Sequence, residues 1–173
     1  MKHLWAPWRM SYVTEADRQE GCIFCAKGAD EQDQECGILA RARHNYLVLN
    51  AFPYNTGHLM IVPYAHESDF ARLPPATGAE MFALAQLAVG ALVQVFQAEG
   101  ANIGMNLGKA AGAGVKDHVH LHVVPRWSGD TNFMMPLAET RVVPQSLRDT
   151  WAQLSPVLRG LIEERLAGMI SGG

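Results

Sequence analysis

From Asp117 to Trp127 the chain reads Asp-His-Val-His-Leu-His-Val-Val-Pro-Arg-Trp, with histidines and apolar residues alternating one by one. A period of two is that of a β-strand, whose successive side chains point to opposite faces. His118, His120 and His122 therefore share one face, while Val119, Leu121 and Val123 turn towards a core. Residues 37–42, 46–50, 58–62 and 101–107 carry further strand patterns. The second and third of these are joined by Ala51-Phe52-Pro53-Tyr54-Asn55-Thr56-Gly57, whose Pro, Asn and Gly mark a loop.

The period changes at Pro74-Pro75, which opens a helix running to about residue 98 and ending before Gly100. Met81, Leu84, Ala88, Leu92 and Val95 form one stripe, and Phe82, Val89, Val93 and Phe96 widen it past a single face. A helix apolar on most sides is buried on most sides, and a second copy of the same helix is the expected second cover. The Asp-, Glu- and Gln-rich residues 28–36 read as a solvated loop, and residues 108–114 as a Gly/Ala-rich one. A turn-rich piece runs to Pro144, and an amphipathic helix is predicted over about residues 147–167, kinked or split by Pro156. Strands arranged around one long helix predict an α+β fold with an antiparallel sheet of about five strands.

Composition narrows the class. At 173 residues the chain is expected to form one domain with a sizeable core over about residues 20–133 and a C-terminal helical tail. The N-terminal segment, with Trp5, Pro7, Trp8 and Tyr12, is too aromatic for a disordered tail and is expected to dock on the domain or on a second subunit. A net charge of −3 argues against non-specific nucleic-acid binding, so no nucleic-acid partner is expected. No segment reads as a membrane span of about 18 apolar residues, so no membrane partner is expected either. Three cysteines, two of them in Cys22-Ile23-Phe24-Cys25, point to metal or redox chemistry in a reducing cytoplasm rather than to a disulfide framework.

Several chemistries fit the histidine strand. Imidazole is a competent nucleophile near neutral pH, and a phosphoramidate on its nitrogen breaks readily. The preceding Lys109-Ala110-Ala111-Gly112-Ala113-Gly114-Val115 is nearly free of bulky side chains, so its backbone N–H groups can approach a phosphate. Spacing alone equally allows a metal site made of all three histidines. The Cys22/Cys25 pair needs two more ligands for a closed tetrahedral site. His66 and His118 are candidates, which would leave His120 and His122 for chemistry. Buried apolar thiols or a redox pair are the alternatives. Asn50 and Asn106 end strands, a common place for Asn, and either could instead bond a nucleotide.

His118-Val119-His120-Leu121-His122-Val123-Val124-Pro125 resembles the signature of the histidine-triad family. Val48-Leu49-Asn50 and Asn55-Thr56-Gly57-His58-Leu59-Met60-Ile61-Val62-Pro63 resemble that family's other signature, and together they cover roughly residues 37–132. The resemblance implies a homodimer with one sheet continued across it, and nucleotidyl transfer or hydrolysis at the α-phosphate of an adenine nucleotide or dinucleoside polyphosphate. It implies His120 as the nucleophile, His122 on the phosphate and His118 as an orienting residue. Asn50 would take the ribose and Phe52 and Pro53 the base, with Asn106, Gly112, Ala113, Gly114 and Val115 facing the phosphates. Zinc-containing relatives imply zinc on Cys22, Cys25, His66 and His118.

Hydrolase and phosphoramidase members usually carry a Gln before the triad, where this chain has Ala113-Gly114-Val115-Lys116-Asp117. Leu4-Trp5-Ala6-Pro7-Trp8-Arg9-Met10 and Pro125-Arg126-Trp127-Ser128-Gly129-Asp130-Thr131-Asn132-Phe133 look instead like the bacterial branch related to diadenosine tetraphosphate phosphorylases. The acceptor implied is phosphate, with water as the hydrolytic alternative. A nucleoside phosphoramidase and a nucleotide-binding interaction module with weak catalysis are the other readings.

Overall fold

The computed structural model describes residues 21–130 and 145–171, with side chains as far as residue 165. The N-terminal aromatic segment, the turn-rich piece before Pro144 and the end of the Pro125–Phe133 run fall outside the described residues. The elements are α1 (Ile23–Ala29), α2 (Asp33–Cys36), β1 (Ile38–Arg41), β2 (Asn45–Leu49), β3 (Leu59–Pro63), α3 (Pro75–Phe96), β4 (Gly100–Gly104), β5 (Leu121–Arg126) and α4 (Leu147–Ser171). The five strands form one antiparallel sheet in the order β1-β2-β3-β5-β4.

Both faces of the central strands are covered, which is why β2 and β3 are buried at every position. One face carries Leu39, Leu47, Leu49, Leu59, Ile61, Leu121 and Val123 against α3 and α4. The other carries Ile38, Tyr46, Val48, Met60 and Val62 with Phe24 of α1. Alternation along the histidine segment sends Val119, Leu121 and Val123 into the first layer, as the pattern predicted. The histidines lie on the second.

Three expectations need correction. The histidine segment is a laddered strand only from Leu121. β3 pairs with it up to Ile61–Leu121 and β4 up to Gly104–His122, so residues 118–120 lie outside the ladder, with a bend at His118. Residues 28–36 are not all loop, because α1 ends at Ala29 and Asp33–Cys36 makes a short helix closed by Gly37. Four polar residues are too few to show a helical period. α4 of the same chain covers part of α3, and Phe82 and Val93 stay about half exposed. Finally, α3 is long and apolar enough by composition to cross a membrane, but it packs on the sheet with Met81, Leu84, Ala88, Ala91 and Leu92 buried.

α4 is a single helix in which Pro156 neither splits nor ends the run. It is fastened to the first strand from one side. Trp151 Nε1–H donates to the Ile38 carbonyl (2.7 Å), and Ser155 Oγ–H and Arg159 Nε–H donate to that of Leu39. These bonds, with Leu154 and Leu158 fully buried, offset the backbone bond that proline forfeits.

Candidate active site and metal centre

The first turn of α1 places Cys22 and Cys25 three residues apart and so on one side of the helix. His66 follows the end of β3, and His118 precedes β5. The side chains converge: Cys22 Sγ lies 3.2 Å from His118 Nδ1, Cys25 Sγ 3.6 Å from the same nitrogen and 3.3 Å from His66 Nδ1. The four donor atoms all fall within 4.8 Å of one another. Two thiolates and two imidazoles around one tetrahedral zinc would stand about 3.6 Å apart, sulfur to nitrogen, so the spacing fits an ion of that kind.

The tautomer of His118 fits as well. Its Nε2 sits 2.9 Å from the Pro63 carbonyl, which can only accept, so Nε2 carries the proton and Nδ1 turns a lone pair to the sulfurs. Burial holds His118 below the usual histidine range, with His66 and His120 adding to the shift and the Pro63 bond opposing it. Burial, then the neighbouring Cys22, pushes the Cys25 thiol up. A cation between them would reverse that cost.

His120 is 6% exposed, and its Nδ1–H donates to the His118 carbonyl at 2.8 Å. That fixes the lone pair on Nε2. Burial lowers its pKa against the opposing pull of that hydrogen bond, so the ring is neutral at pH 7. His122 is set by a residue that sequence reasoning left unassigned. His58 is completely buried, and its Nδ1 accepts the Tyr54 backbone N–H at 3.0 Å. A neutral His58 must then carry its proton on Nε2, which donates to His122 Nδ1 at 3.0 Å. His122 consequently bears its own proton on Nε2. With the His120 and His122 rings 4.9 Å apart, a nucleophilic lone pair and an N–H donor stand side by side. The signal for His58 in the sequence was its place in the Gly-His-apolar run just before a fully buried strand.

On the far side of Phe24, whose ring packs on His120, opens a pocket of about 690 Å³. Ile23, Phe24, Val48 and Met60 give it apolar walls, and Asn50, Phe52, Gly114 and Val115 also line it. Met60 is the cross-strand partner of His122, which ties the pocket to the histidines. Asn50 Oδ1 accepts the Phe52 backbone N–H at 2.9 Å. Lys27 and Lys116 bring two ammonium groups to its lining and Asp117, ion-paired to Lys116 at 2.8 Å, brings a carboxylate. Pro53, Asn106, Gly112, Ala113 and the three histidines His118, His120 and His122 are not among the lining residues, so the histidines meet the pocket through Phe24 and Met60. The all-histidine metal site does not form among the described residues, since His118 sides with the cysteines while His122 bonds His58.

A buried-histidine strand beside an apolar pocket, on a five-stranded antiparallel sheet, defines the class: the chain belongs to the histidine-triad family, whose HIT domain model matches residues 31–129. Among individual proteins it is 40% identical over 157 residues to the AP-4-A phosphorylase of Mycobacterium tuberculosis, a match spanning 87% of this chain and 80% of that one. It is similar in structure to a Zn-bound histidine triad family protein from Mycobacterium smegmatis, with TM-score 0.67, 28% identity, and 83% and 97% of the two chains covered. The fold is also that of Plasmodium falciparum diadenosine triphosphate hydrolase, with TM-score 0.58 at 18% identity over 78% and 79% of the chains.

Proposed function

We propose that this chain is a nucleotidyltransferase that splits a dinucleoside polyphosphate of the diadenosine tetraphosphate kind at an α-phosphate, through a nucleotidyl-His120 intermediate, with inorganic phosphate as acceptor. The observation that carries the reading is His120 itself: buried, neutral at pH 7, and held by the His118 carbonyl with its lone pair on Nε2. Nε2 attacks the α-phosphorus, the bond to the bridging oxygen breaks, and ATP departs as an anion. Phosphate oxygen then attacks the same phosphorus, the P–N bond breaks, and ADP leaves with His120 neutral again. With water as acceptor the second product would be AMP. His122 Nε2–H bonds a non-bridging oxygen and stabilises the charge that develops there.

Asn50 takes the ribose, with Phe52 and Pro53 beside the base. Asn106 and the backbone of Gly112, Ala113, Gly114 and Val115 face the phosphates. Similarity to an AP-4-A phosphorylase over most of both chains supports phosphate as acceptor, and so does the absence of Gln from residues 113–117. The ion held by Cys22, Cys25, His66 and His118 is zinc. It stabilises the fold and orients His118, and a reducing cytoplasm keeps both thiols available to it. The working unit is a homodimer, with β4 and the exposed Phe82 and Val93 of α3 as its face. β4 pairs with β5 alone among the described strands and so offers an open edge for a continued sheet.

Incubation with diadenosine tetraphosphate, with and without phosphate, tests the reaction. ADP formed only in the presence of phosphate is the expected result. AMP plus ATP without phosphate makes the chain a hydrolase, and an inert dinucleotide with turnover of adenosine phosphoramidates makes it a phosphoramidase. His120→Ala should lower turnover at least about a thousandfold, and an unchanged rate removes the covalent mechanism.

A further inference from the structure

The metal centre and the pocket share a wall. α1 supplies Cys22 and Cys25 to the four-donor cluster, while Ile23, Phe24 and Lys27 of the same helix line the pocket. Cys22 and His66 belong to both. Phe24, between the two thiols in sequence and 5% exposed, packs its ring tilted against His120 (centroids 4.9 Å) and edge-on to His118 (5.5 Å). One aromatic ring thus touches a metal-ligand histidine and the reacting histidine together.

The attachment of α1 makes this consequential. A helix of seven residues has too few internal hydrogen bonds to stand on its own, so its tertiary anchors hold it. At its C-terminal end Arg41 donates to the carbonyls of Gly28 and Asp30. At its N-terminal end the Tyr46 hydroxyl donates to the Phe24 carbonyl at 2.7 Å, and Cys22 makes no side-chain cap. An ion on the four donors would stitch that first turn to the segments carrying His66 and His118. Without it the first turn, and with it Ile23 and Phe24, keeps fewer constraints.

We infer that Phe24 is a positioning residue through which metal occupancy and nucleotide binding are reciprocally coupled: an ion on Cys22, Cys25, His66 and His118 tightens nucleotide binding, and bound nucleotide tightens ion binding. The inference rests on the nucleotide reading of the pocket given above. It adds that the centre sets affinity as well as stability. Linkage requires the two effects to be equal, and couplings of this kind commonly reach about tenfold.

The test uses AMP as probe and zinc as ion. AMP affinity is measured by calorimetry on zinc-loaded and chelator-stripped protein, and zinc affinity by chelator competition with and without saturating AMP. The expected result is about tenfold tighter AMP binding to the loaded protein and an equal gain in zinc affinity with AMP. In cobalt-substituted protein, where the fold keeps its ion, AMP should shift the thiolate–cobalt absorption bands. Phe24→Leu should still bind one ion per chain and lose that shift. AMP binding equally well to folded stripped and loaded protein overturns the inference and leaves the nucleotide site standing. Cobalt bands that ignore AMP, or a Phe24→Leu variant with full coupling, overturn it even where stripped protein unfolds. AMP binding to neither form overturns the nucleotide reading and the coupling with it.

Discussion

Gly57→Ala should damage the site without touching any candidate chemical group. Gly57 has φ +85°, in the left-handed region, and leads directly into His58. An L side chain there costs about 1–2 kcal/mol of backbone strain. A Cβ would also stand 2.8 Å from Leu92 Cδ2 and 3.2 Å from two ring atoms of Phe96. Leu92 is fully buried in the main core, so its methyl cannot simply swing away, and overpacking of this kind costs about 1–3 kcal/mol. The sum, about 2–5 kcal/mol, is a large part of the 5–15 kcal/mol that typically separates folded from unfolded states. Urea unfolding should show the loss as a lower midpoint at unchanged slope. A double-mutant cycle separates its two parts. Leu92→Ala alone should cost about 2–5 kcal/mol through its cavity, but in the Gly57→Ala background it also removes the clashing methyl. The double variant should therefore be at least about 1 kcal/mol more stable than the sum of the single losses. Additivity within about 0.5 kcal/mol would mean that the loop backs away from α3 freely, and the packing argument for how His58 is positioned would fail.

Other consequences are more direct. Because burial holds His120 below the ordinary histidine value of about 6.5, kcat/KM should stay level down to that pH and fall only below it; an acid limb centred above 6.5 contradicts a buried neutral nucleophile. The same depressed pKa values of His118 and His120 make the unfolded chain the stronger proton binder, so their contribution to stability is intact above about 6.5 and is lost as pH falls from there through the folded values, which unfolding at pH 7.5 and 5.5 would reveal. Removing the ion with a chelator should lower Tm by about 10 °C if it was present at about a thousand times its Kd, and a Tm unmoved by chelator and by added zinc alike argues against metal binding at the four donors. Trp151→Phe should cost about 1–2 kcal/mol by orphaning the Ile38 carbonyl, with activity per folded molecule unchanged; calorimetric stability equal to wild type would show that the bond contributes nothing.

The strands and the face shared by the three histidines were legible because a period of two survives at one-residue resolution. The ladder's starting point was not, since it depends on how far β3 and β4 reach, and β4 stops opposite His122. The thiol pair was legible as half of a candidate four-donor cluster, yet nothing in Cys22-Ile23-Phe24-Cys25 says that the intervening Phe24 packs on two histidines. That contact is tertiary, made between residues nearly a hundred positions apart in the chain. His58 escaped for a related reason: a lone histidine before an apolar run usually fills a core position, and its role depends on a Tyr54 N–H that only the folded loop aims at it. The breadth of the apolar face on α3 is legible in the sequence, but that α4 of the same chain covers part of it is not, because the pattern records burial and not the identity of what buries.

Three imidazoles of equal intrinsic chemistry end with different tasks because the fold commits one nitrogen of each. A backbone carbonyl takes His118 Nε2–H and leaves Nδ1 as a ligand atom; another takes His120 Nδ1–H and leaves Nε2 basic. At His122 the partner is a donor, His58 Nε2–H, and the result inverts: Nε2 keeps its proton and can only give a hydrogen bond. A nucleophile flanked by a second basic nitrogen would set two lone pairs against an anionic phosphate. A nucleophile flanked by an N–H donor meets the same phosphate with one attacking pair and one stabilising proton. The difference between those arrangements lies in His58 and in the loop that fixes its tautomer, so the proposed phosphoryl transfer depends on Tyr54 and Gly57 as well as on the histidines.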